Sequence, residues 1–244
     1  MCLNDGKTEF VVALTHQVLK QYGLPTSIVI GDATIIPTTS VRNVGAYFDI
    51  HMTMVPHIDA ICKKCNYHLR RISSIRAYIN KSLCHSIIMA LVVSNLDYCN
   101  SLLLDVPDNQ LSRLQRIHNR AARLVTLTAL REHITPVLAA LHWLPVAARI
   151  EYKTLVYVYK AVNGLAPVYI SELLTFKSRH SRLRQLHDHL QLSEPRSPLV
   201  IGKRAFGNTA PVLWNRVPLS LRDSPSLLII KKQLKTYLFV RTYQ

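Results

Sequence analysis

The chain has 244 residues, with 30 Lys or Arg against 14 Asp or Glu, and a formal net charge of +16 at pH 7. With 49% hydrophobic residues, 18% charged residues and seven Gly, the composition excludes a disordered chain, collagen and low-complexity fibre. The length allows one large domain or two small ones, with a core burying roughly 70% of the unfolded chain's surface. The charge excess points to a polyanionic partner, nucleic acid or an anionic membrane, through Coulomb attraction and counterion release.

The longest strongly apolar run covers residues 87–93, far short of the roughly 18 residues a membrane helix needs. Asp5 and Gly6 stand where a secretory leader would place its apolar centre. The five Cys (2, 62, 65, 84 and 99) are odd in number and lack framework spacing, which favours a reducing compartment. An intracellular protein is expected; the basic clusters are too short to decide between nucleus and cytoplasm.

In chain order, residues 9–13, 27–30 and 44–48 are short apolar or β-branched runs punctuated by Gly23, Pro25, Gly31, Pro37 and Gly45, which predicts strands of a small sheet. From Pro56 the pattern turns helical. Over residues 57–72, Ile58, Ile61, Cys65, Leu69 and Ile72 share one side while Lys63, Lys64, Arg70 and Arg71 take the other. Residues 83–96 are evenly hydrophobic and predict a buried partner helix. Over residues 111–125, Leu111, Leu114, Ile117, Ala121, Leu124 and Val125 fall on one face. Arg113, Arg116, Arg120 and Arg123 fall opposite, within an arc of about 80°.

Four guanidinium groups thus recur about every turn, roughly 5 Å apart, a spacing comparable with that of phosphates along a strand. No acid lies between Arg113 and Arg131 to pair with them. Residues 62–131 hold eleven basic residues against Asp97, Asp105 and Asp108, so this is the basic half of the molecule. Breaks are expected at Thr135-Pro136 and Leu144-Pro145, and a helix over 149–162 closed by Asn163-Gly164. An exposed basic loop or linker (177–198) follows, then a C-terminal region (199–244) with a Pro218 break and a last helix over 226–239. The fold class is α+β, predominantly α.

Motifs of chemistry are sparse. None of the fourteen acids is adjacent to another, and paired-metal phosphoryl transfer needs clustered carboxylates; Asp105 and Asp108 flank a Val-Pro turn. Cys62-Lys63-Lys64-Cys65 has half a zinc spacing and no second half, and His187-Asp188-His189 has no companion ligand. Neither a Gly-x-Ser-x-Gly elbow nor a phosphate loop is present. No metal and no cofactor is expected. Tyr67, Tyr78 and Tyr98 punctuate the basic half and either stack on bases or pack half-buried.

Several phrases resemble the reverse transcriptases of LINE-type (non-long-terminal-repeat) retrotransposons, particularly the chicken-repeat and jockey-like clades. They are Ser40-Val41-Arg42-Asn43-Val44-Gly45, Leu96-Asp97-Tyr98-Cys99-Asn100, the run from Leu114 through Gln115-Arg116-Ile117-His118-Asn119-Arg120 to Arg123, and His133-Ile134-Thr135-Pro136-Val137-Leu138. Leu141-His142-Trp143-Leu144-Pro145-Val146, Tyr159-Lys160-Ala161-Val162-Asn163-Gly164-Leu165-Ala166-Pro167, Ala210-Pro211-Val212-Leu213-Trp214-Asn215-Arg216-Val217-Pro218 and Leu234-Lys235-Thr236-Tyr237-Leu238-Phe239 continue the likeness in order.

The resemblance implies that residues 1–50 are the end of a polymerase palm, 56–131 a helical thumb and 132–176 a helical region after it. It also implies that the catalytic Asp-Asp turn lies upstream of Met1, so that this chain has no polymerase activity of its own. By the same likeness Lys7 matches a palm lysine near departing pyrophosphate, and Arg42 and Asn43 are carried over as primer contacts; a plain hairpin turn around Gly45 is the alternative. The expected partner is a template-primer duplex, RNA–DNA or DNA, held by phosphate contacts from Arg113, Arg116, Arg120, Arg123, Lys63, Lys64, Arg70 and Arg71. The alternative is a helical protein-interaction scaffold from the same element, and a third outcome is a truncated sheet whose exposed edges prevent stable folding.

Overall fold

The computed structural model describes residues 8–13, 16–23, 26–31, 33–177, 190–197 and 200–244. Lys7, the His187-Asp188-His189 group and most of the 177–198 segment lie outside the described residues. Contacts divide the chain into two compact units, Met1–Lys64 and Cys65–Gln244. The chain is mainly helical with two small antiparallel sheets, in keeping with the α+β, mainly α expectation.

In the first unit a short helix, α1 (His16–Tyr22), precedes two hairpins. Strands β1 (Ile28–Ile30) and β2 (Ala33–Ile35) pair with Ile28 opposite Ile35. Strands β3 (Ser40–Asn43) and β4 (Ala46–Asp49) pair with Val41 opposite Phe48 and Asn43 opposite Ala46. Val44 and Gly45 form the connection, with φ of 45° and 81°; two positive φ values give the twist that a two-residue hairpin needs.

The predicted strand over 44–48 therefore starts two residues later, because Val44 belongs to the turn. The predicted strand over 9–13 reduces to a single bridge, Phe10 with Pro37. The Asp49 carboxylate accepts the Thr53 N–H (3.1 Å), the Thr53 hydroxyl (2.9 Å) and the Met54 N–H (3.0 Å). Burial works against its charge, but these donors hold its carboxyl below the usual range. That knot leads into α2 (Val55–Ile75), a single helix that runs across the limit between the units.

Among the described residues of the second unit the regular elements are helices, and the only β pairing is one bridge, Phe176 with Leu192. Helix α3 (Lys81–Ile88) starts at Asn80, whose side chain accepts the Leu83 N–H at 2.8 Å. It runs through a widened turn, Met89–Val93, into α4 (Ser94–Asp97). There the Ser94 hydroxyl and the Asn95 amide bond the carbonyls of Ala90 and Leu91 four residues back. This segment is not evenly buried: Cys84, Ile88, Val92, Val93 and Leu96 turn inward while Leu83 and Leu91 face solvent.

Helix α5 (Asp108–Thr126) follows Pro107 and buries Leu114, Ile117, His118, Ala121, Ala122 and Val125. Helix α6 (Ile134–Ala140) contains Pro136 in its first turn. The break expected there is absent because a first-turn residue needs no amide hydrogen. Helix α7 (Val146–Val162) starts after Pro145 and closes at Gly164, φ 67°, with the Leu165 N–H on the Lys160 carbonyl at 2.7 Å.

Short helices α8 (Val168–Ser171), α9 (Val200–Arg204) and α11 (Leu219–Arg222) link to α10 (Phe206–Arg216) and α12 (Leu227–Tyr243). The Ser226 hydroxyl caps α12 by accepting the Ile229 N–H at 3.3 Å. One apolar cluster joins Leu155, Val158 and Tyr159 of α7 to Trp214 of α10, Ile230 and Leu234 of α12, and Leu192. Its polar atoms are matched: Trp214 Nε1 donates to the Leu190 carbonyl (2.9 Å), the Tyr159 hydroxyl to the Ser224 carbonyl (2.7 Å), and Asn215 holds both backbone groups of Leu192 (2.9 Å each). No helix among the described residues is long and apolar enough to cross a membrane.

Candidate nucleic-acid interface

The α5 wheel places four arginines outward, but their surroundings separate them. Arg113 is half-buried and donates to Gln110 Oε1 at 2.9 Å. Arg116 is exposed, with no hydrogen bond or ion pair among the described residues. Arg120 is exposed and gives one N–H to Asn66 Oδ1 of α2 at 2.6 Å. Arg123 donates to the carbonyls of Ala129 and, at 2.7 Å, Glu132, so its guanidinium fastens the loop between α5 and α6. An arginine tied this way has fewer donors left for a ligand.

On α2 the outward residues Lys63, Lys64, Arg70 and Arg71 are all exposed, and none has a hydrogen bond or ion pair among the described residues. Between Cys65 and Ile75 the helix has no acid at all. Tyr67, Tyr78 and Tyr98 are 58%, 88% and 49% exposed, which removes the half-buried packing reading for Tyr67 and Tyr78.

Arg42 and Asn43 lie in the first unit, exposed at the end of β3 beside the Val44-Gly45 turn. The Arg42 guanidinium lies over the Tyr47 ring, 5.8 Å from its centroid, and its backbone N–H donates to Glu9 Oε2 at 3.2 Å. Tyr47 is its cross-strand neighbour, so the pair also staples the hairpin.

Sequence reasoning missed the residues that hold the basic faces in place. Arg76 donates to the carbonyls of Leu124 (2.8 Å) and Val125 (3.1 Å) at the end of α5 and to that of Ile79 (2.9 Å). A cation on orphan carbonyls at a helix C-terminus is doubly favourable. Gln115 Oε1 accepts the Val146 N–H at 2.8 Å, capping α7 from α5, while its amide donates to Asn119 (2.7 Å). Arg149 grips both carboxylate oxygens of Asp97. Gln115 and Asp97 stand inside resembling phrases while Arg76 and Arg149 do not, and nothing in the spacing of any of them reveals the distant partner.

Beneath the arginines, His118 is fully buried, 5.1 Å from the Trp143 ring, and neither ring nitrogen has a partner among the described residues. Burial, aided by the Arg149 charge, pushes its imidazole down to about 3, so the ring is neutral. Cys65 is buried with its thiol 3.7 Å from the Val92 carbonyl, and neither Cys62 nor Cys65 is in a disulfide. No group of three metal-ligating side chains occurs among the described residues. A cleft of about 670 Å³ is lined by Ile150, Val212 and Leu213 together with Arg196, Lys203 and Arg216. Another of about 420 Å³ surrounds the Asp97–Arg149 pair and Trp143. What the site offers chemically is exposed fixed positive charge beside exposed aromatic surface. Comparisons with protein-family models, curated proteins and solved structures find no match to this chain.

Proposed function

We propose that the chain is a reverse-transcriptase piece of a LINE-type retrotransposon that binds template-primer duplex through a basic helical thumb and does not polymerise by itself. The observation that carries the reading is the set of exposed cations without partners among the described residues: Arg70, Arg71 and Arg116 in the second unit, with Lys63 and Lys64 continuing the α2 stripe. Free guanidinium and ammonium groups release counterions from a phosphate backbone at no cost in broken internal bonds. Arg120 contributes through its remaining N–H groups, Arg113 lies on the same α5 face, and Arg123 acts mainly on the fold. Arg42 and Asn43 as primer contacts rest on the resemblance.

Phosphate contacts of this kind have little sequence preference. The test is fluorescence-anisotropy binding of a short RNA–DNA duplex between about 50 and 200 mM salt. A steep loss of affinity with salt supports the reading; a folded chain that binds no duplex at the lower salt overturns it in favour of the helical interaction scaffold.

A further inference from the structure

We infer that the second unit contains a stacking site for an unpaired nucleobase, formed by Tyr67 and framed by Arg70, Arg71 and Arg120. The inference rests on the nucleic-acid reading above and names a ligand class for it, single-stranded nucleic acid or a strand end at a junction. At about 100° per residue, Arg70 falls about 60° to one side of Tyr67 and Arg71 about 40° to the other, one turn further along α2. The ring therefore stands in the middle of the positive stripe. Asn66, its chain neighbour, receives the Arg120 N–H at 2.6 Å, which brings the α5 arginine face alongside.

The ring is 58% exposed, and its hydroxyl has no partner among the described residues. The His68 ring lies beside it in a T-shaped arrangement, centroids 5.5 Å apart at 72°. With more than half of the side chain exposed, the ring has open surface on which a flat partner can lie. A base inside a duplex has both faces occupied by its neighbours, so only a base out of the stack can lie on an isolated ring. Cations one turn away match the phosphates of the same strand, and the absence of acids from Cys65 to Ile75 removes like-charge repulsion of the ligand. A ring face has no hydrogen-bond code, so preference among bases should be small.

The experiment uses the full chain, a labelled thymidine oligonucleotide of about a dozen nucleotides and a blunt duplex of equal length, at about 50 mM salt. Wild type is compared with Tyr67→Ala and Tyr67→Phe; the position is exposed, so both should fold, checked by circular dichroism. Tyr67→Ala is expected to weaken the single strand about 5- to 100-fold, the effect of one lost base–aromatic stack, and to leave duplex affinity within about twofold. Tyr67→Phe should keep both affinities. If Tyr67→Ala leaves single-strand binding unchanged, or weakens both ligands alike, the stacking site is overturned while duplex binding by the wild type keeps the phosphate reading. If the wild type binds neither ligand, both fail.

Discussion

On α5, Arg123 spends its guanidinium on two loop carbonyls and Arg120 lends an N–H to Asn66; on α2, Arg70 and Arg71 end in solvent with no partner among the described residues. The two faces look alike on a helical wheel. Their difference lies in what adjoins them: α5 runs beside α3, α6 and α7, so loops and helix ends reach its flanks, whereas Arg70 and Arg71 of α2 meet no carbonyl among the described residues. An arginine stripe is thus a ligand surface only where the fold has not already used it. On this account α5 is chiefly a structural spine with a residual basic edge, and the outer face of α2 is the freer ligand surface.

The largest test of α5 as a spine is acid. His118 is neutral when buried, with its imidazole pushed down to about 3, while in the unfolded chain it titrates near 6.5. The folded-state value is depressed, so the stability is fully present above about pH 6.5 and is lost as the pH falls toward 3. By pH 4 the loss from this group alone is about 3 kcal/mol. Urea unfolding of His118→Phe against wild type across pH 4–7 should show a flatter acid limb in the variant, whatever its stability at neutral pH.

Arg76→Met should come next, at about 2 kcal/mol, since it leaves three carbonyls without their charged donor. Thermal melts would detect it, and a drop matched by no loss in the salt dependence of duplex binding would mark Arg76 as structural. Gln115→Ala should cost about 1 kcal/mol by uncapping α7. The smallest effect belongs to α2: Arg70→Gln and Arg71→Gln should each stay within about 0.5 kcal/mol, and a larger loss in a urea titration would erase the contrast between the helices.

Much of this was legible from pattern. The outward and inward residues of α2 agree with the wheel, as do the start of α12 at Ser226 and the closure of α7 at Gly164, because each is decided within a few turns of chain. Where the outcome differed, the deciding contact was remote or subtle. Arg76 meets carbonyls 48 residues away, and the wheel could not tell Arg123 from Arg116 because both show only an outward direction. His118 and Ala122 replace Leu111 and Leu124 among the buried residues of α5, a small rotation of the stripe toward Trp143. In the first unit, strands of three or four residues carry too little periodicity to place, and Val44 in a positive-φ turn contradicts the usual preference of a β-branched residue. Asp97 and Trp214, two of the residues on which the proposed likeness rests, make internal bonds, to Arg149 and to the Leu190 carbonyl.

The most direct measurement is the salt dependence of RNA–DNA duplex affinity for three proteins: wild type, the triple variant Arg70→Gln, Arg71→Gln, Arg116→Gln, and Arg123→Gln. If the untied arginines meet phosphates, the triple variant's log–log slope is shallower by roughly two to three, at about 0.9 per B-DNA contact, and Arg123→Gln keeps the wild-type slope. A triple variant with an unchanged slope, or an Arg123→Gln protein that loses as much as the triple, would contradict the account.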